Sequence, residues 1–211
     1  MKILIIGQPR CGSTVLMRAL AKIYKCQTIS EPWTENREKG KLPLNFYLPE
    51  KVIVKSMATQ YPLDYSIKTP NGTIPSKNSI TAHLSIIKKF DKIILIGRKK
   101  RKEQIESLSH AIRNFKTPDE WHKPYIFEEE KNEELLKSYN LNYEYSLNNL
   151  INLSTRLDQS IIWYEDLFSG DETIVYQCLS DMKMDIRYDD IKKFVDPKKK
   201  YRTFLPNKSF I

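Results

Sequence analysis

An apolar run, Lys2-Ile3-Leu4-Ile5-Ile6, leads directly into Gly7-Gln8-Pro9-Arg10-Cys11-Gly12-Ser13-Thr14 and then into Val15, Leu16, Ala19, Leu20 and Ile23, an apolar stripe at helical spacing. A buried strand, a glycine-punctuated turn and an amphipathic helix in immediate succession commit the chain to layered α/β packing. The same arrangement builds a phosphate cradle. Successive backbone N–H groups converge on an anion, and the helix start adds positive potential. The spacing of Gly7 and Gly12 is close to a Walker A loop, but Ser13 stands where that motif needs its lysine. Arg10 is the cation within the loop. These features point to a phosphorylated nucleotide and away from an ordinary ATPase or kinase.

The rest of the chain repeats the alternation. Strands are predicted at roughly 2–6, 26–29, 51–55, 92–97 and 160–163, and helices at about 13–24, 77–90, 101–115, 142–157 and 171–182. Ile93-Ile94-Leu95-Ile96 reads as a strand buried on both faces. The expected fold is a three-layer α/β sandwich with a mainly parallel central sheet and a P-loop-like loop, in one domain over 1–211. The Pro-punctuated stretch 35–76 and the segment 117–141 read as substrate-facing or lid segments. Apolar content of 40% supports a real core, and a net charge of +9 favours an anionic partner. Three cysteines, Cys11, Cys26 and Cys178, without a CxxC pair, argue against a disulfide framework or a zinc site. A reducing, cytoplasmic setting is expected, with no signal peptide and no transmembrane segment.

Several side chains carry chemistry. Gly7 and Gly12 allow tight turning, Ser13 and Thr14 offer hydroxyls, and Arg10 offers charge-assisted bonds to phosphate or sulfate oxygens. Arg98-Lys99-Lys100-Arg101-Lys102 follows a buried strand, at the ligand edge of a parallel sheet. A basic run at a helix start opposes the helix dipole unless an anion lies there. Glu31, before Pro32 at a strand tip, is a carboxylate placed for proton abstraction. Lys55, after Val52-Ile53-Val54, points toward the same edge and is a candidate anion contact, against the alternative of a solvated lysine.

Gly7 to Leu16 resembles the opening motif G-x-P-R-S-G-S-T-x-L of sulfotransferases that use 3'-phosphoadenosine 5'-phosphosulfate (PAPS). The resemblance implies that Pro9, Arg10, Cys11, Gly12, Ser13 and Thr14 surround the 5' phosphosulfate, with Cys11 replacing the common serine and losing its hydroxyl. Arg98 through Gln104 to Ser107 is similar to the family's Arg-Arg-x-x-x-x-Gln-x-x-Ser, which implies that Arg98 and Ser107 hold the 3' phosphate. Lys99 with Ser107, or Arg101 with Ser109, are alternative registers. Glu31-Pro32-Trp33 resembles the bacterial and carbohydrate-acting subgroup, in which this glutamate is the proposed base. The branch that uses a histidine leaves His122 in reserve. Tyr164-Glu165-Asp166-Leu167 resembles a structural tetrapeptide of the family. Lys199, Lys200 and Arg202 are candidates for its basic C-terminal loop, although the usual Arg-Lys-Gly-x-x-Gly-Asp-Trp form is absent.

The implied activity is in-line transfer of a sulfuryl group from PAPS to a hydroxyl or amine acceptor. That acceptor could be a carbohydrate. Arg10 and Glu31 are the catalytic candidates, 3'-phosphoadenosine 5'-phosphate (PAP) is the product, and no metal is expected. Two rivals explain parts of the sequence: a P-loop phosphotransferase, and a polyanion or nucleic-acid module built on 98–102 and 192–202. The second leaves Gly7–Thr14 and Glu31 without a purpose, so nucleic acid is the weaker expectation.

Overall fold

Residues of the first strand, β1 (Lys2–Gly7), alternate between two hydrophobic clusters. Ile3 and Ile5 face one side of a sheet, Leu4 and Ile6 the other, as the two-residue period of a strand requires. Both faces must therefore be covered. The computed structural model describes residues 1–31, 48–61, 85–114 and 132–196. Within them, β1 is joined by β2 (Gln27–Ser30), β3 (Val52–Met57), β4 (Lys92–Gly97) and β5 (Ile161–Trp163). The sheet order is β2-β3-β1-β4-β5, and every pairing is parallel.

The helices are α1 (Ser13–Tyr24), α2 (Arg101–Asn114), α3 (Glu133–Leu157), the single turn α4 (Tyr164–Leu167), α5 (Glu172–Asp181) and α6 (Tyr188–Val195). Leu16 and Leu20 of α1, Val175 and Leu179 of α5, and Ile191 and Val195 of α6 pack against Ile3, Ile5, Ile53, Ile94 and Ile96. Leu150 and Leu153 of α3 cover the opposite face with Ile86 and Ile87. Each such side chain, once fully buried, contributes about 2 kcal/mol through removal of apolar surface from water. Helix α2 rests on α3 through Ile105, Leu108, Tyr139 and Tyr143.

The strands lie within two residues of their expected positions. The helices differ more. The helix predicted from residue 142 begins at Glu133, capped by Asn132, whose Oδ1 accepts from the N–H groups of Glu134 and Leu135. Residues 132–141, read with the 117–141 lid segment, are therefore the start of α3. In the described part of the predicted 77–90 helix, helical geometry covers 85–87 and gives way to a turn. The run from Lys192 read as a tail begins inside α6.

A parallel sheet puts all its carboxyl ends on one rim. Gly7 lies opposite Met57 and Ile96, Gly97 opposite Trp163, and Ser30 opposite Lys55. The segments that follow these strands (7–14, Glu31, Arg98 and α4) collect there, where parallel sheets bind ligands. Among the described residues no helix is long and apolar enough to cross a membrane.

Candidate functional site at the carboxyl rim of the sheet

The loop after β1 folds back on its own start. A Cβ on Gly7 would stand 2.8 Å from Cys11 Sγ and 3.0 Å from Ser13 Cβ, so only glycine fits. Arg10 (φ 61°) and Gly12 (φ 82°) have left-handed backbone. Gly12 is the N-cap of α1, where it offers no side chain to the first-turn N–H groups, and that turn holds no acidic residue. A Cβ on Gly12 would also approach Phe168 Cε2 at 2.8 Å and Tyr164 Cδ2 at 2.9 Å. Cys11 is fully buried. Burial pushes its thiol pKa up, opposed by hydrogen bonding from Ser13.

Three side chains support the loop from behind. Gln8 is wholly buried. Its Nε2 donates to the Tyr143 carbonyl (3.4 Å) and to Ser146 Oγ (3.3 Å), and its Oε1 accepts from the Arg98 N–H at 2.8 Å. Gln104 Nε2 donates to the Pro9 carbonyl at 2.6 Å. Arg98, 5% exposed, donates from Nη1 to the Arg10 carbonyl (3.2 Å) and from Nη2 to Glu103 (2.8 Å). Its guanidinium lies 4.5 Å from the centre of the Tyr164 ring, which stacks on Phe168 at 4.7 Å. The Arg10 side chain reaches α2, where its Nε donates to Ser107 Oγ at 2.9 Å.

On the other flank stands Lys55, 7% exposed. It lies two residues after Ile53 and so shares the α1 face of the sheet. Its Nζ donates to Glu31 Oε1 at 2.5 Å and to Thr14 Oγ1 at 3.1 Å. The ammonium that a Walker loop would carry itself arrives here from a neighbouring strand. Glu31 also has left-handed backbone (φ 52°), and its N–H donates to the Lys55 carbonyl at 2.7 Å. A nearly buried ammonium needs partners of this kind, because an unpaired charge there would be strongly destabilising.

The basic run 98–102 is matched by carboxylates. Arg98 meets Glu103 (2.8 Å) and Glu165 (3.7 Å), Lys99 meets Asp166 (2.9 Å), and Lys100 meets Glu103 (3.1 Å). Arg101 meets Glu144 of α3 (2.7 Å) and Lys102 meets Glu106 (3.9 Å). Glu165 also accepts from the N–H groups of Lys99 (2.9 Å) and Lys100 (3.0 Å). An internal carboxylate thus meets the positive end of α2. Burial raises the Glu103 pKa, but hydrogen bonds from Lys100 and Arg98 outweigh it and leave it below the usual carboxylate value.

Pro9, Arg10, Cys11, Gly12, Ser13, Thr14, Arg98 and Ser107 are thus drawn together around one loop, and Glu31 joins it through Lys55. Tyr61 is a core residue beside Leu150 and Leu153. Lys199, Lys200, Arg202, His122 and Trp33 lie outside the described residues. Sequence reasoning overlooked the loop support Gln8 and the counter-charge Glu103, and it placed Gln104 in a motif without its contact to the loop. A buried amide within a glycine loop, and a glutamine on the loop-facing side of a helix, were the available signals. Among the described residues no group of three or more His, Cys, Asp or Glu side chains is arranged to hold a metal ion.

No family model matches the chain, and no curated protein matches it significantly. Among solved structures it is similar to mouse sulfotransferase SULT7A1 complexed with PAP, at 13% identity and a TM-score of 0.48. The match covers 92% of this chain and spans 62% of the length of that one. At that identity and overlap, the likeness is no basis for assigning an activity.

Proposed function

We propose that the chain transfers a sulfuryl group from PAPS to a hydroxyl or amine acceptor, with Pro9–Thr14 cradling the 5' phosphosulfate and Glu31 taking the acceptor proton. The observation that carries this is the chain of contacts from Glu31 through Lys55 to Thr14, at 2.5 and 3.1 Å. It links a carboxylate to the start of α1 through one nearly buried cation.

Backbone strain supports the same reading. Of the described non-glycine residues with positive φ, Lys25 and Asp158 cap helix ends and Lys183 follows one. Arg10 and Glu31 have no such capping role. Strained backbone away from helix ends concentrates at functional sites.

The donor set suits a nucleotide with phosphates at two positions. PAPS supplies a sulfuryl group already activated on a phosphate leaving group. The loop N–H groups, Arg10 and Lys55 would stabilise charge on the departing phosphate oxygen, each preorganised donor contributing about 3 kcal/mol. Lys55 fixes the orientation of the Glu31 carboxylate. Arg98 and Ser107 would hold the 3' phosphate, with Glu103 giving up its place on Arg98, and Lys199 and Arg202 would be further contacts to the nucleotide. These side chains carry the positive charge the reaction needs, without calling for a metal.

Calorimetric titration of the purified chain with PAP and with ATP plus Mg²⁺ tests the assignment. Clear preference for PAP is expected, and equal or tighter ATP binding would overturn it in favour of a phosphotransferase. Glu31→Gln should keep PAP affinity while transfer from PAPS falls about 100-fold or more. Full transfer by that variant would remove Glu31 as the base.

A further inference from the structure

We propose that Gln104 is a positioning residue for the phosphate loop, aiming its backbone N–H groups; this rests on the sulfuryl-transfer reading above. The geometry starts from the planar trans peptide, in which the C=O of one residue and the N–H of the next point in opposite directions. The described chain has no cis peptide bonds. Gln104 Nε2 draws the Pro9 carbonyl toward α2 at 2.6 Å, so the Arg10 N–H is directed away from α2. Arg98 Nη1 draws the Arg10 carbonyl in turn, at 3.2 Å, so the Cys11 N–H is directed away from Arg98. Two consecutive peptide units are thereby oriented by two donors behind them.

The amide of Gln104 has no evident use other than this contact. The residue is 2% exposed, and its Oε1 is buried without a hydrogen-bond partner. An orphaned acceptor destabilises a core that leucine or methionine would fill without penalty. A packing role alone would therefore favour an apolar side chain. The geometry of α2 reinforces the point. Gln104 and Ser107 are three residues apart and share a helix face, and they engage Pro9 and Arg10, two adjacent residues of the loop.

The test compares the parent chain with Gln104→Met and Gln104→Glu, using PAP titrations and thermal melting. Gln104→Met keeps the volume and removes the donor. It should melt cooperatively near the parent while PAP affinity falls about tenfold, as for the loss of one aligned contact to a charged ligand. Gln104→Glu adds a pH readout: its ionised form both loses the donor and places negative charge near the loop, so the absence of any recovery on protonation would count against a positioning role. Ionised, the new side chain cannot donate to the Pro9 carbonyl; protonated, it can. Its affinity relative to the parent at the same pH should therefore recover as the pH falls from about 8 to about 5.5. If Gln104→Met unfolds, Gln104→Asn, neutral and one methylene too short to keep the 2.6 Å contact to the Pro9 carbonyl, takes its place with the same loss of about tenfold expected. Parent-like PAP affinity in Gln104→Met, or no relative recovery in Gln104→Glu, would overturn the role of Gln104 while leaving the loop's function intact. A parent chain that binds neither PAP nor inorganic pyrophosphate would overturn both.

Discussion

Helices α1 and α2 begin within one hydrogen bond of each other, since Arg98 before α2 donates to the carbonyl of Arg10 before α1. Their starts are finished in opposite ways. The N–H groups of Lys99 and Lys100 at the entry to α2 are met by the Glu165 carboxylate, and Glu103 occupies its first turn. Helix α1 begins on Gly12 without a side-chain cap or an acidic residue in its first turn, and its surroundings hold Arg10 and Lys55. A helix start carries roughly half a positive charge. At α2 the protein answers that charge itself; at α1 it adds cations. The basic run 98–102 is therefore paired within the protein, whereas the Gly7–Thr14 loop is where the proposed function puts an outside anion.

Breaking the link between the two starts should have the largest effect. Arg98→Ala removes a nearly buried guanidinium that joins the Arg10 carbonyl, Glu103 and the Tyr164 ring. A loss of about 3 kcal/mol in urea unfolding is expected, the low end for disrupting a buried ionic group because Glu103 reaches solvent. Giving α1 the kind of acid that α2 has should come next. Thr14→Asp should lower PAP affinity about 100-fold through repulsion at short range, yet leave the melting temperature near the parent value, because an acid suits the first turn of a helix. Unchanged affinity would erase the distinction between the two starts.

Opening α2 is a milder change. Glu165→Gln should destabilise by about 1 kcal/mol and give a larger sulfate-induced rise in melting temperature than the parent shows. The smallest effect is the pH dependence of Glu103. Its folded-state pKa is depressed, so its contribution is present above the unfolded-state pKa and is lost as the pH falls through the folded value. Glu103→Gln should be less stable than the parent at about pH 7, and unfolding curves should converge toward about pH 3.

The layered fold and the loop were legible because both are local. A strand buried on two faces and a glycine turn leave unmistakable runs, such as Ile3–Ile6 and Gly7–Thr14. The start of α3 was missed because Asn, Tyr and Ser between 138 and 146 weaken helix propensity, and the acids before it read as a lid. Burial of Tyr139, Tyr143 and Tyr145 makes up for that weakness through packing, which no local pattern displays. The pairing of the basic run 98–102 was only partly legible: Glu103 and Glu106 follow it in the sequence, but Glu144 comes from α3, and Glu165 and Asp166 from α4. The role of Gln8, and the contact that Gln104 makes, were equally hidden. Their partners are loop and helix carbonyls tens of residues away, joined only by the order of the strands.

Amide-resolved NMR during titration with inorganic pyrophosphate probes the difference between the two helix starts most directly. Saturable shifts confined to the amides of Arg10–Thr14 are expected, with those of Lys99 and Lys100 unmoved behind Glu165. Shifts at Lys99 and Lys100 with a silent Arg10–Thr14 loop would contradict it.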